Sequence, residues 1–80
     1  MTQDQVVIVE ELALKAYEMF RTRPDEIERY CWMVVHEYHH GVMPVEYDIR
    51  DIDETLFLNV LELVSQIVQA EEDKGQHLNQ

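Results

Sequence analysis

The sequence predicts an all-α protein, a small bundle of three main helices with a short helical turn between the second and third. Three observations carry this expectation. Apolar residues recur every three to four positions along three long stretches. The chain breakers Pro24, Gly41, Pro44 and Gly75 stand between or after those stretches, not within them. The one run that reads as a buried strand, Val6-Val7-Ile8-Val9, lies inside a helical periodicity that continues to Phe20.

The first helix opens on Thr2 and Gln5, which are spaced as a capping box. At about 100° per residue, Val6, Ile8, Val9, Leu12, Ala13, Ala16, Tyr17, Met19 and Phe20 share one side. Glu11 and Lys15 lie opposite, spaced for an i,i+4 ion pair, and Arg21-Thr22-Arg23 suits a C-terminal end. Pro24 suits the first position of the second helix, with Asp25 and Glu26 in its first turn. Ile27, Tyr30, Cys31, Val34, Val35 and Tyr38 form its core stripe, and Gly41 stands where a C-cap glycine belongs. Pro44 is the expected start of a short helical turn through Val45, Glu46, Tyr47 and Ile49. Asp51 or Asp53 then caps a third helix with a wide apolar face: Leu56, Phe57, Val60, Leu61, Leu63, Val64, Ile67 and Val68. Residues 1–75 therefore read as a single helical domain, ended by Glu71-Glu72-Asp73-Lys74-Gly75. Residues 76–80 read as a frayed polar tail.

Eighty residues bury only about 60% of the unfolded chain's surface, so the core is thin. The apolar arcs of helices one and three span nearly half of each helix, and Val7, Leu14 and Leu58 widen them further. Such a surplus implies a homo-oligomer or a protein partner held through apolar helix edges. Cys31 is the only cysteine, which excludes an internal disulfide and fits a reducing compartment. The start has no basic n-region, and no apolar run approaches the roughly 20 residues that span a bilayer, so a cytoplasmic location is expected. Seventeen acidic against six basic residues give a formal net charge of −11, which repels nucleic acid and anionic membrane. The acids are spread through the helices, as solubility requires. The sharper alternative is a nucleic-acid mimic or inhibitor that binds a basic host protein.

His36-Glu37-Tyr38-His39-His40 fits H-E-x-x-H, which in metalloproteases puts two zinc ligands and a general base on one helix face. Glu62-Leu63-Val64-Ser65 resembles the E-x-x-S part of a thermolysin-like second motif, which makes Glu62 the third ligand in a zinc reading. Leu61 stands where that motif has asparagine. On the helical wheel His36 and His40 point roughly 160–210° from the core stripe, and Glu62 would have to turn from its own apolar arc to join them. The balance falls against a zinc hydrolase, and no cofactor is expected. Trp32 and Met33 flank the histidine face outside the core stripe, and together they suggest a contact surface. The other reading is that residues 42–50 cover Trp32 through Met43 or Tyr47. Asp48, Asp51, Asp53 and Glu54 lack the glycine and late glutamate of a calcium loop, and serve better as caps.

The second half is similar in layout to small tailed-phage proteins of the tail assembly chaperone type. The matching stretches are Trp32 to His40, Met43-Pro44-Val45-Glu46-Tyr47, and Leu56 to Glu72. The resemblance implies a non-enzymatic assembly protein that shields apolar helices of a partner, in a bacterial host cytoplasm. Trp32, Met33, His36, His40, Met43, Tyr47 and Leu58 are the expected partner-binding residues.

Overall fold

The computed structural model describes the backbone of residues 2–78 and the side chains of residues 2–75. The chain forms α1 (Gln3–Thr22), α2 (Ile27–His40), a single 3₁₀ turn (Ile49–Asp51) and α3 (Glu54–Leu78). Each of the three α-helices packs on the other two, and no strand occurs among the described residues. The all-α three-helix expectation is met.

Local chemistry explains the helix boundaries. The capping box is complete: Thr2 Oγ1 accepts from the Gln5 N–H, and Gln5 Oε1 accepts from the Thr2 N–H. These bonds satisfy two donors that a helix start leaves free. Asp53 caps α3, its carboxylate accepting from the Leu56 N–H at 3.1 Å, an arrangement worth about 1 kcal/mol. Gly41 closes α2 in the left-handed region (φ 77°) and donates its N–H to the Glu37 carbonyl at 2.7 Å.

Pro24 does not open α2, which begins three residues later. Arg23, pushed to φ −140° ahead of the proline, ends α1, and the Asp25 carboxylate takes the Glu26 N–H in a non-helical turn. The helical turn expected from Pro44 forms instead at Ile49–Asp51, where Asp48 accepts from the Arg50 N–H and supplies the start signal. α3 runs through Gly75 to Leu78, past the end expected for it at Glu71–Gly75. Glycine in a helix costs about 1 kcal/mol relative to alanine, which is a penalty and not a stop. The rest of the expected tail, Asn79 and Gln80, lies outside the described residues.

The core consists of Val9, Ala13 and Ala16 from α1, Tyr30, Cys31, Trp32, Val34 and Val35 from α2, and Phe57, Val60 and Val64 from α3. Ala13 and Ala16 are completely buried, and their small side chains let α1 approach its neighbours closely. The core stripe of α2 stops short of Tyr38, which is about half exposed. Burial on α3 ends at Val68, and residues 69–75 are exposed.

Candidate partner-binding site

Two surfaces carry the residues of interest. The first is the histidine corner at the C-terminal end of α2. Trp32, expected at a contact surface, is 3% exposed and belongs to the core. The segment 42–53 folds back along α2, and the Tyr47 ring meets Trp32 edge-on with centroids 5.5 Å apart. His36 lies on the same indole at 5.0 Å, half-buried, and His40 lies 4.4 Å beyond it. The imidazole Nδ1 of His36 is 3.4 Å from the Val42 carbonyl, at the outer limit of a hydrogen bond. The indole Nε1 of Trp32 is buried with no partner among the described residues. Of the two readings of Trp32, cover by residues 42–50 through Tyr47 is the one the structure has, and Trp32 is not an exposed contact residue. Met33 is half-buried against the core, while His40, Met43, Tyr47 and Leu58 remain exposed. Burial, then the charges of Glu28 and Glu26, raises the Tyr47 phenol above its ordinary pKa.

The zinc constellation does not assemble. Glu37, the general base of that reading, binds the Lys15 ammonium of α1 at 2.7 Å, so Lys15 does not form its expected pair with Glu11. Relative helix placement decides this, because Lys15 lies on the α2-facing side of α1. His39 turns to Asp53 at 3.5 Å, joining the end of α2 to the cap of α3. Glu62 stands in the groove between α1 and α3, away from the histidines. No group of three metal-ligating side chains converges among the described residues. The acids before α3 act separately, Asp48 on Arg50 and Asp53 on Leu56. The hydrogen bonds from Arg50 hold the Asp48 carboxyl below its ordinary pKa.

Cys31 is inert. Burial, with a smaller contribution from Glu28, pushes its thiol up to about 12. Iodoacetamide at pH 8 will leave Cys31 unmodified in the folded protein and label it in urea, as read by intact mass. Because the folded-state pKa is raised, the associated stability is complete below the unfolded thiol pKa of about 8.5. It declines as pH rises toward 12.

The second surface is an open groove between α1 and α3. Val6, Val9, Glu10 and Leu14 line one wall, and Asn59, Glu62, Leu63, Gln66 and Ile67 the other. Val9 is buried and forms the floor. Leu14 is 57% exposed and Val6 36%, with Val7 exposed just outside. The walls place one carboxylate on each rim, Glu10 and Glu62, and no lysine or arginine lines the groove. Periodicity signals this surface only indirectly, through the wide arc to which Val7 and Leu14 belong. It does not show that α1 and α3 leave a gap there.

The chain matches a family model described as a domain of unknown function (DUF8662) over residues 7–68. The chain belongs to this family. No curated protein and no solved structure matches it. In this DUF8662 chain the matched span takes in α1 from Val7 on, the histidine corner, the segment over Trp32 and the whole groove wall of α3. It ends at Val68, where burial on α3 also ends.

No helix among the described residues is long and apolar enough to cross a membrane.

Proposed function

We propose that this chain is a non-enzymatic protein-binding module that holds a protein partner along the α1/α3 groove. The observation that carries the reading is the groove itself: apolar side chains left open on a domain whose core is already filled. Engagement of Glu37 by Lys15 and separation of Glu62 from His36 and His40 weigh against the hydrolase reading. An assembly role fits the same surface, because an open apolar groove shields a partner's apolar helix until that helix finds its final place. The exposed corner residues His40, Met43 and Tyr47 border a separate surface available for a second contact. A nucleic-acid mimic would have no use for an apolar floor.

The test is site-specific photo-cross-linking in the producing cell, with the cross-linker at Leu14 in the groove or at Val45, which is 92% exposed on the connector. A discrete adduct from Leu14, absent from Val45 and lost when Val6→Asp is added, is the expected result. Identical adducts from both positions would overturn the reading. So would one tightly retained zinc per chain in native mass spectrometry, released by His36→Ala.

A further inference from the structure

We propose that the occupant of the α1/α3 groove is a basic amphipathic helix of another protein, laid down as a fourth helix; this rests on the protein-binding reading above. Its apolar stripe would lie on Val6, Leu14, Leu63 and Ile67, with cationic residues on both flanks meeting Glu10 and Glu62.

The walls determine the backbone form of the occupant. Both walls are helices, whose amides and carbonyls are satisfied internally, and no sheet edge exists among the described residues to pair with an extended peptide. A segment lying against the apolar floor satisfies its own backbone best as a helix. From Val6 to Leu14, and from Asn59 to Ile67, each wall extends about 12 Å at 1.5 Å per residue. That length accommodates about two turns, with anchors at i, i+3 or i+4, and i+7.

Charge determines the partner. Glu10 and Glu62 line opposite walls of the groove, and neither forms an ion pair among the described residues. Four of the chain's six basic residues are engaged elsewhere: Lys15 with Glu37, Arg21 with Glu18, Arg29 with Asp25, and Arg50 with Asp48. A second copy of the chain, with net charge −11, would bring more carboxylate to a rim with nothing to neutralise it. Lysines or arginines flanking an apolar stripe complement both rim and floor. Placed on the bundle, such a helix completes a four-helix arrangement.

The probes are three synthetic 18-residue peptides: leucine at helical i, i+3, i+4, i+7 spacing with lysine elsewhere, the same design with glutamate for lysine, and a scramble of the lysine peptide. Affinity is measured by calorimetry and the site by amide chemical shifts of the ¹⁵N-labelled protein. The lysine peptide is expected to shift residues 6–14 and 59–67, and to bind at least tenfold more tightly than its scramble. Glu10→Lys/Glu62→Lys should weaken it at least tenfold and admit the glutamate peptide, and Leu14→Asp should weaken both. These substitutions fall on exposed positions, and retained helical circular dichroism verifies the fold. Equal affinity for the scramble, shifts centred on the histidine corner, or indifference to the charge reversal would each overturn the basic helix. Absence of lysine-peptide binding while the Leu14 cross-link persists overturns the basic helix alone. Loss of the cross-link as well overturns the protein-binding reading with it.

Discussion

Trp32→Ala will lower the unfolding free energy by about 3–5 kcal/mol, the cost of a large cavity in a packed core. At about 4–8 °C per kcal/mol for a domain of this size, the melting temperature falls by tens of degrees. Stability near the lower end of the usual 5–15 kcal/mol then leaves little of the folded state at 37 °C. The reason is placement: Trp32 is 3% exposed, with Tyr47 and His36 against its ring. Trp32→Phe will be far milder, because it keeps most of the buried ring and the indole Nε1 has no hydrogen-bond partner among the described residues. Thermal circular dichroism of the two variants separates the possibilities. A surface tryptophan would melt like the parent after either change, and that outcome would refute the buried position.

Ala16→Leu is the second large effect, with an expected loss of about 1–3 kcal/mol from overpacking. Ala16 has no exposed surface, so three added carbons have to push α1 off its neighbours. Leu14→Ala, two residues earlier on the same helix, should change stability by less than about 0.5 kcal/mol because Leu14 is mostly exposed. Urea titration of both proteins measures the contrast. A similar loss in both would mean that the groove is closed.

These two experiments test the places where the sequence was most and least informative. The identity and order of the helices followed from local rules, because capping at Thr2 and Asp53, the left-handed cap at Gly41 and the apolar stripes all act within a turn or two. The burial of Val34, Val35, Val60 and Val64 followed from the same stripes. Trp32 was harder to place. A wheel treats the side of α2 away from the stripe as solvent, whereas Tyr47, fifteen positions along the chain, returns to cover it. Lys15 shows the same limit: its spacing offers Glu11, and tertiary placement gives it Glu37 instead. The groove needed both helix faces and the gap between them. Residues 7 and 14 announced surplus apolar surface without saying where it would open.

The segment that covers Trp32 has a consequence for how the gene can vary. A stretch with a proline, a glycine at its start and only one short turn reads as a linker, where length is free to drift. Here Gly41, Tyr47 and Asp53 are fixed points, since one ends α2, one lies on Trp32 and one caps α3. Residues added between Tyr47 and Asp53 would lift the ring from the indole or the cap from its helix. Residues added beside Val45, at 92% exposure, would loop outward and disturb neither. Length drift in this connector is therefore admissible at its outer bend and restricted along the part that lies on α2.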